Sequence, residues 1–131
     1  MTRFSFKWLA ALAAFSLLSV VALAQTTRPA AAQISLGVTP TVVSAGGTVT
    51  VFGSITNTSS KAEKVTINYD VVGPCNYTDA YSVKVTLKAG ETRTASNSYT
   101  APACAGDYTI TATATSGGTV LDVKSATFTV Q

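Results

Sequence analysis

Few side chains in this 131-residue chain could do chemistry, and their types exclude most catalytic schemes. There is no histidine, so the usual general base of acid–base and nucleophilic catalysis is missing. Serine is frequent but never stands in the Gly-x-Ser-x-Gly pattern of a hydrolase nucleophile. Asp70, Asp79 and Asp107 are spaced neither as a recognisable glycosidase pair nor as a calcium-binding loop. The sequence therefore predicts a protein that is not an enzyme and has no cofactor or metal site.

The two cysteines, Cys75 and Cys104, are the other reactive groups. No histidine and no Cys-x-x-Cys pair accompany them, so neither a zinc site nor a thioredoxin-like redox site is indicated. In an exported protein we expect them to form a disulfide, the alternative being two free thiols. Closing a loop of about 30 residues would stabilise the fold by roughly 3.5 kcal/mol in the chain-entropy model.

The beginning of the chain has the pattern of an export signal. Arg3 and Lys7 precede an apolar run over residues 8–24, which ends in the small-x-small sequence Ala-Leu-Ala. We predict a signal peptide over 1–24, a flexible leader over 25–33 and one domain over 34–131. Cleavage after Ala32 is a second, lower-ranked possibility. An uncleaved anchor is less favoured, because the apolar run is shorter than the ~20 residues of a membrane span. The expected location is secreted or periplasmic, with no membrane span after cleavage.

Charge argues against a nucleic-acid partner. Beyond residue 24 there are seven basic and six acidic side chains, a net charge of +1, and the basic residues are scattered. Binding to nucleic acid needs several phosphate-neutralising side chains on one face.

From residue 34 onward the chain alternates apolar and polar residues in short runs that turn residues separate, which is typical of β-strands. Seven strands are predicted, over 34–38, 48–55, 64–72, 81–87, 92–100, 108–115 and 121–130. The fold class is then all-β, a seven-stranded antiparallel immunoglobulin-like sandwich, with a small closed barrel as the rival. A change of parity in the last strand predicts a β-bulge near Lys124 and Ser125.

The strand order places both cysteines in loops at one end of the sandwich, where a disulfide would join two loops. The same loops form the candidate binding surface, with Asn76, Tyr77, Asp79 and Tyr81 as its side chains. Tyr108 follows Gly106-Asp107 at the start of the sixth strand, the position of a structural tyrosine corner.

Several turns and strand starts form a recognisable series: Gly-Gly-Thr-Val-Thr-Val at 46–51, Asn-Thr-Ser at 57–59, Leu-Lys-Ala-Gly-Glu at 87–91, Tyr-Thr-Ala-Pro at 99–102 and Gly-Asp-Tyr-Thr-Ile at 106–110. Their order and spacing resemble bacterial immunoglobulin-like domains of the CARDB type, a cell-adhesion-related module. The resemblance covers residues 34–131. It implies the sandwich fold and a role as an adhesion module, spacer or accessory domain.

The function expected from these observations is a non-catalytic binding or adhesion module of the cell envelope or the secreted fraction. Its partner would be a protein or a glycan at the cell envelope, and neither is identified by the sequence. Two alternatives remain, a structural subunit that assembles by edge-strand addition and a small secreted inhibitor of a hydrolase.

Overall fold

The computed structural model describes residues 31–131, so the predicted signal peptide and most of the predicted leader lie outside the described residues. The described part is an all-β sandwich of two sheets. It has eight strands where seven were predicted: β1 (Ala32–Thr39), β2 (Val42–Val43), β3 (Thr48–Asn57), β4 (Glu63–Gly73), β5 (Tyr77–Leu87), β6 (Thr92–Thr100), β7 (Gly106–Ser116) and β8 (Thr119–Val130).

The two sheets differ in width. One has three strands in the order β1-β3-β6, and the other has five in the order β2-β8-β7-β4-β5. All pairings are antiparallel except that of β2 with β8. Strand β2 is the one that the sequence analysis missed, because two residues are too few to show a period of two. It forms where the chain crosses from β1 to the outer edge of β8.

The core fills the space between the sheets in two clusters. One surrounds Tyr108 and Phe128 and lies toward the disulfide end. The other surrounds Leu87 and Ile67 and lies toward the opposite end. Both consist mainly of alternate residues of β1, β3, β4, β7 and β8, which is the pattern that the sequence predicted for half-buried strands. Two layers of side chains on facing sheets account for the stability of the sandwich.

Two strands begin earlier than predicted. Strand β1 starts at Ala32, which is completely buried, so the last two residues of the predicted leader belong to the sheet. Strand β5 starts at Tyr77 and not at residue 81, because the turn between β4 and β5 is only three residues long. Residues 77–79, predicted as loop, are therefore paired to β4.

The predicted bulge lies elsewhere in β8. Ala114 pairs with Asp122 and Thr115 pairs with Val120, so Leu121 is the extra residue and the 124–125 pair is regular. As a result Val123, which pairs with Thr113, lies on the outer face and is 48% exposed. The carboxylate of Asp122 accepts a hydrogen bond from the Ile34 N–H at 2.8 Å, which blocks part of the free edge of β1.

Candidate functional site: a slot between β5 and β6

Strand β5 has an inner row of side chains that the opposite sheet covers only in part. Tyr81, Val83 and Val85 pair with inward-facing residues of β4 and so point toward the other sheet. That sheet is two strands narrower, so Tyr81 and Val83 stay 37% and 42% exposed. A row of exposed apolar side chains on the inner face of a sheet is unusual in a soluble protein and is typical of a binding site.

Strand β6 supplies the opposite wall with small and polar groups. Its inward residues are Arg93, Ala95 and Asn97, which pair with Ile55, Gly53 and Val51 of β3. Because glycine and alanine leave space between the sheets, a cleft of about 200 Å³ remains. We call this cleft the slot. Its floor is formed by apolar side chains of both sheets, among them Leu36, Val51, Ile55, Ile67 and Tyr69.

Gly53 is required at the floor of the slot. A Cβ atom placed on it would lie 2.4 Å from the carbonyl oxygen of Ser35 on the neighbouring strand β1. No side chain can be accommodated at that distance without moving the backbone, so this position stays empty. The slot is therefore a consequence of close backbone packing between β1 and β3.

One end of the slot is closed by an arginine. Nη2 of Arg93 donates to the carbonyl oxygen of Thr86 on β5 at 3.3 Å and pairs with Glu91 at 2.8 Å. The carboxylate of Glu91 also accepts from the N–H of Lys88 at 2.7 Å. The hydrogen bond from Arg93 leads among the causes that lower the pKa of the Glu91 carboxyl. These contacts connect the two sheets and neutralise the charge of the guanidinium.

The other end is closed by two tyrosines and a carboxylate. The hydroxyls of Tyr77 and Tyr99 are hydrogen-bonded to each other, and the Tyr99 hydroxyl donates to Oδ2 of Asp79 at 3.0 Å. Burial raises the pKa of the Tyr99 phenol, and the hydrogen bonds with Tyr77 and Asp79 raise it further. The phenol is thus held neutral, and the carboxylate of Asp79 has a donor.

Next to this end lies the disulfide. Cys75 and Cys104 are bonded, with their Cα atoms 6.4 Å apart, which confirms the predicted pair. The Tyr108 hydroxyl donates to the carbonyl oxygen of Cys104 at 2.6 Å. The Tyr108 ring stacks on Phe128 with centroids 5.3 Å apart and covers Gly73, where a Cβ would lie 2.1 Å from a ring carbon.

The four residues of the predicted loop surface are separated by this arrangement. Asn76 is exposed in the turn after β4, where it and Cys75 have positive φ values of 57° and 60°. Tyr77 and Asp79 lie on β5 and meet at Tyr99, while Tyr81 stacks on Tyr69 with centroids 4.8 Å apart. Most of this set is therefore strand and not loop, and three of its four members form one side of the slot or its end.

The sequence analysis missed the β6 wall. Arg93, Ala95, Asn97 and Tyr99 alternate with threonines and serines, so the strand reads as polar on both faces. A strand that is polar on both faces is one whose inner face is incompletely covered, and this was the signal available in the sequence.

Within residues 31–131 no group of three or more His, Cys, Asp or Glu side chains is placed to hold a metal ion. Over the same residues the structure contains no helix of the length and hydropathy that would span a bilayer. What the slot offers chemically is an apolar cavity with hydrogen-bonding groups at both ends, where Arg93 is paired with Glu91 and Asp79 accepts a hydrogen bond from a neutral hydroxyl.

Comparisons with known proteins define the class of the fold. No protein-family model matches the sequence, and no curated protein matches it. Among solved structures, the CARDB domain of a Pyrococcus furiosus protein in complex with di-metal ions is similar to the chain. The TM-score is 0.58 at 16% identity, over 76% of this chain and 93% of that domain. The fold is therefore CARDB-like, as the turn motifs predicted.

The same fold occurs as part of larger enzymes. The DNA glycosylase AlkC of Pseudomonas fluorescens, solved bound to DNA with an abasic site analogue, matches 79% of this chain with a TM-score of 0.62 and 19% identity. A β-glucosidase of Erythrobacter marinus matches 76% with a TM-score of 0.58 and 13% identity. The chain spans only 31% and 16% of those two proteins, so the likeness is to one domain of each.

Proposed function

We propose that the chain is an exported immunoglobulin-like module that binds a partner at the cell envelope or in the secreted fraction and catalyses no reaction. The slot is the observation that carries this proposal. Its apolar inner row on β5 is exposed although the rest of the sandwich has a well-filled core. Contiguous exposed apolar surface on a small domain is typical of a recognition site.

Export is supported by the disulfide and by the predicted signal peptide. Disulfides persist in oxidising compartments, and Cys75 and Cys104 are bonded to each other. The proposal gives cleavage after Ala24. The first residue of the exported protein, measured by mass spectrometry of the culture medium and the periplasmic fraction, is then Gln25.

An affinity capture tests the binding function. The chain from Gln25 is immobilised and envelope and culture extracts are passed over it, beside the variants Ala95→Leu and Ser96→Leu. Ala95 faces the slot, whereas Ser96 pairs with Phe52, whose side chain is exposed on the outer face of the sheet. The two variants therefore add the same side chain one residue apart on opposite faces.

A partner that binds the wild type and Ser96→Leu but not Ala95→Leu is the expected result. A partner retained equally by all three forms would place recognition on another surface. Ordered self-association with no captured partner would instead favour the structural-subunit alternative.

A further inference from the structure

The unequal width of the two sheets indicates what the slot accepts. We propose that an extended segment of a partner protein adds to the free edge of β6 as a fourth strand and directs apolar side chains at β5. This inference rests on the proposed binding function and names the class of its partner. It follows from the strand orders, in which β5 and β6 are both edge strands on the same side of the sandwich.

The position of the added strand follows from sheet geometry. Neighbouring strands lie about 4.8 Å apart and facing sheets lie about 10 Å apart. A strand beside β6 would therefore lie over the part of β5 that β6 leaves uncovered, where Tyr81 and Val83 are 37% and 42% exposed. Among residues 31–131, β3 is the one neighbour of β6 in the sheet, so the other edge of Thr92–Thr100 offers backbone groups that no described strand pairs with. Main-chain pairing gives such a complex its affinity, and alternate side chains give it specificity.

The length and polarity of the segment follow from the slot. The row from Tyr81 to Val85 covers four residue steps, about 14 Å, so a segment of about five residues covers it. The cleft of about 200 Å³ is larger than the ~150 Å³ cavity that holds a benzene molecule, so it accepts one aromatic or branched aliphatic side chain.

The charged side chains at the two ends of the slot also restrict which segment can bind. Arg93 is paired with Glu91 at 2.8 Å, so a segment gains no ion pair from the guanidinium. Asp79 is exposed and accepts a hydrogen bond from the neutral Tyr99 hydroxyl at 3.0 Å, so it keeps its negative charge at the other end. A segment with a charge at its centre would lose hydration among apolar side chains without an ion-pair partner, and an acidic residue near Tyr99 would be repelled by Asp79. The segment that fits is neutral at its centre and alternates apolar with small polar residues.

The probe is a synthetic peptide, acetyl-Lys-Thr-Val-Thr-Phe-Thr-Val-Thr-Lys-amide, with its apolar side chains at alternate positions. Its control is the same peptide N-methylated at the central Phe and at one Thr adjacent to it. The two methyl groups remove successive backbone donors, which point to opposite edges of the peptide strand, and so prevent pairing along either edge. Binding is measured by calorimetry, and the site is located by amide hydrogen exchange of the complex.

We expect the N-methylated peptide and the Ala95→Leu protein to bind about tenfold more weakly or worse, with Ser96→Leu unchanged within about twofold. Amides of β6 should exchange about tenfold more slowly in the complex, whereas those of β1, the edge strand across the same sheet, should not change. If Ala95→Leu fails to fold, Val83→Thr gives the same test, because Val83 is 42% exposed and threonine is nearly isosteric.

Three results would overturn the proposal. Equal binding of the N-methylated peptide would mean that the slot takes a side chain or small apolar molecule without strand pairing. A dimer with β6 already protected would mean that the occupant is a second copy of the chain. A captured partner that depends on Ala95, together with no peptide binding, would leave the binding function intact and refute strand addition alone.

Discussion

Replacing Asn57 with alanine tests the contact that holds the end of the sandwich opposite the disulfide. Asn57 is the last residue of β3, and its side chain is completely buried. Nδ2 donates to the carbonyl oxygens of Lys61, Leu87 and Lys88 at 2.9, 3.1 and 3.1 Å. Oδ1 accepts from the N–H and the hydroxyl of Ser59 at 2.9 and 2.8 Å. One amide thus joins the 58–62 loop to the turn after β5.

The cost can be worked from these contacts. Alanine leaves the buried Leu87 carbonyl oxygen without its side-chain donor, at about 1–3 kcal/mol, while the part-buried groups regain water and cost about 0.5 kcal/mol each. With the four part-buried partners of Asn57 at about 0.5 kcal/mol each, the sum is a loss of about 3–5 kcal/mol from a domain whose total stability is of the order of 5–15 kcal/mol. Asn57→Asp should cost at least as much at neutral pH, because a carboxylate oxygen would replace Nδ2 and face three carbonyl oxygens with no proton to donate.

The assay is urea unfolding followed by circular dichroism, with the slope compared between proteins to confirm that both unfold from the same state. Ser60→Ala is the matched control, an exposed position in the same loop, and should change stability by less than about 0.5 kcal/mol. If Asn57→Ala matched this control, water would be replacing the amide without penalty, and the assignment of Asn57 as a structural tie would be wrong.

Three further predictions concern stability. The Cys75→Ser/Cys104→Ser double variant removes a disulfide that spans a sequence separation of 29. Its free energy of unfolding in urea should be about 3.5 kcal/mol lower than that of the wild type, and a loss below about 1 kcal/mol would contradict the entropic role of the disulfide. Burial acts to raise the pKa of the Asp122 carboxyl, but its hydrogen bonds outweigh this and hold the pKa below its ordinary value. Its contribution is therefore present above the unfolded pKa and is lost as pH falls through the folded value, so thermal melting of Asp122→Asn should fall less steeply below about pH 4 than that of the wild type; parallel curves would refute this. A chain that begins at Gln33 lacks the buried Ala32 and should melt several degrees lower than the longer chain, whereas equal melting would show that cleavage after Ala32 is tolerated.

Local patterns predicted most of the strands because burial on one face leaves a period of two. Strand β4 shows this well, with Val65, Ile67 and Val71 buried and their neighbours exposed. The same pattern failed where pairing overrides alternation. The extra residue at Leu121 reverses the two faces of β8, and the position of a bulge depends on the neighbouring strand β7 and not on the sequence of β8 alone.

The turn before β5 was misread for a related reason. Gly73-Pro74 predicts that a strand ends, and Cys75 predicts a loop that a disulfide holds. The structure instead has a tight turn, with the N–H of Tyr77 donating to the carbonyl oxygen of Pro74 at 3.2 Å. Cys75 and Asn76, the two central residues of this turn, both have positive φ, a conformation that asparagine adopts more readily than most residues. Because the turn is short, Tyr77 and Asp79 become strand residues that meet Tyr99 at the end of the slot.

The slot itself could not be predicted from any single strand. Alternation assigned Tyr81 and Val83 to the inside, and they do face inward, but their exposure depends on how many strands the opposite sheet contains. The same difference in width explains why β6 tolerates Arg93 and Asn97 on its inner face, since a wall open to water does not require apolar residues. One architectural fact thus accounts for apolar side chains left exposed on β5 and for polar ones placed inward on β6. A partner strand that covered the apolar side chains of β5 would have to leave the polar side chains of β6 hydrated or hydrogen-bonded. An extended segment that alternates apolar with small polar residues meets this condition.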